Sequence, residues 1–168
     1  MRITLAAVLL LVAAPAFAEE SKLACPSEPA LSAPFTHWAN VTPIKAASEV
    51  ADAPALTIGQ AYRIALLDAA RVTPQRTQTK GGKDTAPAYS GVLSVTVTTA
   101  RTYGLAASDG VWIDMVKAGK ALKSLAHGHG PDCSGIRKIV DFALEPGDYE
   151  VRLLGNKAPA LTVMIIAR

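Results

Sequence analysis

Two histidines and a cysteine fall within seven residues in His127-Gly128-His129-Gly130-Pro131-Asp132-Cys133-Ser134-Gly135, in a chain with three histidines and two cysteines in all. The i, i+2 spacing of His127 and His129 puts both imidazoles on one side of an extended segment, as two ligands of one metal ion require. A third ligand is on offer from Asp132, from Asp114 or from the distant His37. Two histidines with a carboxylate suit non-haem Fe(II), and three histidines suit zinc or copper. The same residues have a plainer reading, in which Gly128, Gly130, Pro131 and Gly135 form a tight loop and the histidines only hydrogen-bond across it. A third reading makes a histidine a general base or a pH-sensitive contact at the rim of a binding surface. Arg137 and Lys138 follow directly, placed either to pair with a ligand carboxylate or to lie on a solvated strand face. Ser134 lacks the GxSxG frame of a nucleophile elbow, and Lys80-Gly81-Gly82 lacks the GxxxxGK[ST] frame of a phosphate loop.

The N-terminus indicates where this chemistry is placed. Met1-Arg2 is a short positive start, residues 3–14 are apolar but short for a bilayer span, and Ala16-Phe17-Ala18 precedes Glu19-Glu20 as a small-x-small cleavage site. Residues 1–18 are therefore expected to be a signal peptide, with no lipid-modified cysteine at the junction. Its removal takes 18 of 168 residues and one of the 17 basic side chains, which leaves 150 residues with 16 basic against 14 acidic groups, a net +2. That balance, with lysines and arginines scattered, excludes a nucleic-acid footprint as an expectation. No later apolar run has the length of a membrane span. In an oxidising compartment two cysteines are most simply a disulfide, so Cys25 and Cys133 are expected to pair. The alternative is a free Cys133 acting as a ligand or nucleophile.

The elements that must position the histidine stretch are strands. Residues 19–54 read as an irregular arm punctuated by Pro26, Pro29, Pro34 and Pro43, with at most a short helical turn over 44–51. Within the arm Phe35, His37 and Trp38 read as a plug into the domain, with ligand stacking by Trp38 as the rival. Residues 55–168 form one β domain. Short alternating runs at 56–58, 61–67, 91–98, 101–107, 111–117, 121–126, 136–144, 149–154 and 161–167 are separated by Gly, Pro, Asn and Asp, the pattern of antiparallel strands with one buried face. Residues 68–89 form a long polar loop with at most a weak strand near Val72. Ala118-Gly119-Lys120 and Glu145-Pro146-Gly147-Asp148 are turns, the second with proline and glycine where a type II turn wants them. The run 161–167 is apolar on both faces and must be central or covered. Eight or nine such strands without a convincing helix predict an all-β antiparallel sandwich, most simply a jelly roll.

Two resemblances bear on this reading. Ala100-Arg101-Thr102-Tyr103-Gly104-Leu105, then Trp112-Ile113-Asp114 through Gly119-Lys120, then Val140-Asp141-Phe142-Ala143-Leu144-Glu145-Pro146-Gly147-Asp148-Tyr149-Glu150-Val151, resembles the pre-peptidase C-terminal type of bacterial jelly roll. The stretch from His127 to Lys138, with the preceding Trp112-Ile113-Asp114, is similar to a family of small exported proteins of Gram-negative bacteria that sometimes carry the label homogentisate 1,2-dioxygenase. The resemblance implies a periplasmic or secreted protein, and the label implies a ring-cleaving Fe(II) enzyme. Beside it, analogy of fold points to an exported, non-catalytic β-sandwich module. Its partner would be a small ligand or an envelope protein, met through the face that carries His127, His129, Arg137 and Lys138. The alternative is a mononuclear metalloprotein that holds Fe(II) or zinc with His127, His129 and either Asp132 or Asp114.

Overall fold

The computed structural model describes Cys25, residues 31–73 and residues 88–168. The signal-peptide reading over 1–18 and the Lys80-Gly81-Gly82 stretch lie outside the described residues.

Eleven strands are present among these: β1 (Val41–Lys45), β2 (Ala61–Ala65), β3 (Leu67–Asp68), β4 (Tyr89–Val97), β5 (Arg101–Ala107), β6 (Trp112–Lys117), β7 (Lys120–Ala121), β8 (Ala126–Gly128), β9 (Lys138–Leu144), β10 (Gly147–Asn156) and β11 (Ala160–Ala167). They form two sheets, in the orders β1-β2-β11-β5-β9-β8 and β3-β4-β10-β6-β7. The antiparallel pairs β2 with β11, β4 with β10, β5 with β9 and β6 with β7 are nested around one turn. That nesting is a long hairpin rolled into two sheets, the jelly-roll topology the strand pattern predicts. At the innermost turn Ala118 and Gly119 both have left-handed φ, 49° and 76°. A two-residue hairpin turn needs this handedness to match the twist of its strands.

Alternation in the sequence decides which face is buried. Leu93, Val95 and Val97 of β4 meet Leu105, Phe142, Leu153 and Leu161 in the core between the sheets, while Ser94 and Thr96 face away from it. Each such side chain removed from water is worth about 1.5–3 kcal/mol. β11 lies between β2 and β5. Its Leu161, Val163 and Ile165 enter this core, and its Met164 and Ile166 point to the other side of the sheet.

There they meet the N-terminal arm. Phe35 and Trp38 pack with Ala61, Ala106, Ile139, Met164 and Ile166 in a second apolar cluster. This explains a last strand that is apolar on both faces.

Several readings of the sequence need correction. The arm is not irregular throughout, because residues 41–45 form β1, parallel to β2 in the register Val41 to Ala61. Pro43 concealed it, since proline is tolerated only on an edge strand, and β1 is an edge. The single strand expected over 121–126 is split. Leu122 still donates to the Met115 carbonyl at 2.8 Å, and Leu125 already donates to Asp141 of the other sheet. The chain changes sheets between these two residues. Near Val72 the structure has a 3-10 turn, Ala69–Arg71, rather than a strand. No helix among the described residues is long and apolar enough to cross a membrane.

Candidate functional site

The histidine stretch begins in a strand and ends in a loop. β8 is the outermost strand of its sheet, with His127 opposite Val140 and Gly128 opposite Ile139 on β9. Directly opposed residues share a face. His127 is therefore on the Val140 side, at the rim of the sandwich where it stays exposed. The pairing ends at Gly128, and beyond it the Gly130 amide donates to the Ile136 carbonyl at 3.1 Å. His129, also exposed, has Nδ1 2.7 Å from the Arg137 carbonyl oxygen.

Several interactions set the loop that follows. Ser134 is buried, its hydroxyl donates to the Pro131 carbonyl at 2.6 Å, and the Ile136 amide donates back to Ser134 Oγ at 3.0 Å. The hydroxyl is thus engaged on both sides as a turn-former. Gly130 sits so close to Ile136 that a Cβ there would overlap that side chain. Cys133 takes a left-handed φ of 60° and Gly135 one of 70°. Cys133 is bonded to Cys25, as the cysteine count predicts, with Cα atoms 5.3 Å apart. The disulfide ties the arm to this loop.

Arg137 and Lys138 leave the loop in different ways. The Arg137 amide donates to the Ala107 carbonyl, and its exposed guanidinium lies over Gly110. Lys138 Nζ donates to the Val111 carbonyl at 3.0 Å and stands 5.7 Å from the centre of the Trp112 ring. That bond crosses from β9 to the segment entering β6, so Lys138 is a strut between the sheets.

Not all of the candidates converge. Asp114 lies on β6 of the other sheet, with its carboxylate accepting from Trp112 Nε1 at 2.9 Å. Asp132 is exposed in the loop, and His37 is exposed in the arm beside Trp38. Among the described residues no three His, Cys, Asp or Glu side chains form a group able to hold a metal ion. The two-histidine, one-carboxylate set of a non-haem Fe(II) enzyme is therefore not met by His127, His129 and either aspartate.

Of the two tryptophans, Trp38 reads in sequence as a plug, with ligand stacking as the rival. It is 8% exposed and serves the cluster beneath the arm, which is the plug reading. The exposed tryptophan is Trp112, at 46%. The signal for it was its phase: it alternates with the core residues Val111 and Ile113, so it sits on the face opposite the core.

The chain matches no family model and no curated protein.

Proposed function

We propose that the protein is an exported, non-catalytic β-sandwich module that engages an envelope protein or a small ligand at the end of the sandwich carrying the histidine loop. One observation carries this reading. The loop presents the exposed side chains of His127, His129, Asp132 and Arg137 on a backbone held by a disulfide, by the buried Ser134 and by the close Gly130–Ile136 contact. A loop set in this way loses little conformational entropy when it binds. The half-exposed Trp112 beside Lys138 adds an aromatic surface at the same end. Export is supported by the signal-like start and by the disulfide.

The test is site-specific photocrosslinking in cells, with the reactive residue at Leu125, exposed at the approach to the loop, or at Val50, exposed beside β4. A discrete adduct from position 125 and none from position 50 is expected. Identical patterns from the two sites, or no adduct from either with periplasmic extract added, would overturn the binding reading. Export is tested separately by fractionation and intact mass, with the exported chain expected to begin at Glu19.

A further inference from the structure

We propose that His127 and His129 together chelate one divalent transition-metal ion of the copper class, with water filling its other positions. Residues two apart on an extended strand are separated by about 6.6 Å along its axis and share a face. That is short enough for two imidazoles to tilt onto one ion. His127 lies in β8, His129 follows directly after its last residue, and the Gly130 amide donates to the Ile136 carbonyl just beyond.

The decisive feature is the bond from His129 to Arg137. A backbone carbonyl can only accept, so at 2.7 Å His129 Nδ1 must carry its proton and donate. In the neutral ring this leaves the lone pair on Nε2. A histidine whose other nitrogen donates to a backbone carbonyl has its ring orientation and tautomer set for metal binding. Both rings are exposed, so no desolvation cost opposes binding. No third His, Cys, Asp or Glu among the described residues joins them. Two nitrogen ligands with the remaining positions open suit tetragonal Cu(II), which also heads the affinity order for nitrogen sites. The ion-binding claim is independent of whether the module has a protein partner.

Cu(II) titrated into the disulfide-intact protein, followed by calorimetry and electron paramagnetic resonance, tests the proposal. One equivalent should bind with coupling to two ring nitrogens. His127→Ala and His129→Ala should each weaken it by about tenfold or more, while His37→Ala should leave it unchanged. Zn(II) should bind more weakly than Cu(II). Both loop histidines are exposed, so thermal melts of the variants should match the parent and separate lost binding from lost fold. Equal Cu(II) binding by the parent and the His127→Ala/His129→Ala double variant would overturn the site. Loss through only one of the two would reduce it to a lone imidazole and overturn the chelate. Nitrogen-15 spectra of the metal-free protein, with the imidazoles neutral, should show His129 as the Nδ1–H tautomer. The opposite tautomer would remove the preorganisation on which the proposal stands.

Discussion

Cys25 and Cys133 are joined across 108 residues of sequence, and through that bond the start of the described chain is fastened to the histidine loop. A closed loop of this length removes conformational freedom from the unfolded chain worth about 4–5 kcal/mol in the chain-entropy account. Cys25→Ser combined with Cys133→Ser should lower the unfolding free energy by up to about that amount. Urea melts of the oxidised parent and the double variant measure it. Thiol labelling of the unfolded, unreduced parent should find no free cysteine, and two labelled thiols would contradict the bridge.

The arm should contribute through Phe35 and Trp38, which cover the outer face of β11 and β5. Trp38→Ala removes a large buried side chain and should cost about 3 kcal/mol. Faster proteolysis near the arm should accompany the loss. Trp112→Ala, by contrast, removes a half-exposed ring and should cost clearly less. Equal destabilisation by the two tryptophan variants would refute this assignment of inner and outer roles.

Two glycines of the loop should behave differently. A methyl at Gly128 meets nothing within 4 Å, whereas one at Gly130 runs into Ile136. Gly130→Ala should therefore destabilise by about 1–3 kcal/mol through overpacking, and Gly128→Ala should be nearly silent in the same thermal melts. The reverse order would mean that the loop does not pack as described.

Tyr149 closes the turn that carries the chain from β9 in one sheet to β10 in the other. Its hydroxyl donates to the Glu145 carbonyl at 2.7 Å and accepts from the Glu145 amide at 3.0 Å, with Lys117 Nζ 3.2 Å away. Tyr149→Phe keeps the buried ring and removes these bonds, so a loss of about 1 kcal/mol is expected. Hydrogen exchange at the Glu145 amide should rise with it; an unchanged rate would show that the hydroxyl does not hold the turn.

The innermost turn offers a stabilising change. Ala118 has a left-handed φ of 49°, which costs a side-chain-bearing residue about 1–2 kcal/mol, whereas asparagine tolerates the region. Ala118→Asn should raise stability by about 0.5–1 kcal/mol, as seen in the midpoint of a denaturant melt. A fall in the midpoint would count against a left-handed turn there.

Much of this architecture is determined locally and can be read from the sequence. Two-residue alternation sets the inner faces of β4, β9 and β11, because successive side chains on a strand point to opposite sides. The turn at Pro146-Gly147 is set by the proline ring and by a φ of 137° that suits glycine. The Cys25–Cys133 pair follows from having only two cysteines to join. Other features depend on what the chain meets in space. β1 forms only because β2 offers it an edge, and nothing within Val41–Lys45 announces that pairing. Which tryptophan is buried depends on which sheet face the arm crosses, and it is Trp38, read as a plug, that is covered while Trp112 stays half-exposed. The histidine stretch divides along the same line. The i, i+2 spacing alone places His127 and His129 on one side of an extended segment. Tertiary structure separates Asp114 from them by putting it on the other sheet, and it sets the His129 tautomer through Arg137, a carbonyl that β9 brings alongside. Spacing along a strand is covalent geometry, whereas the partner across it is settled only when the chain rolls up.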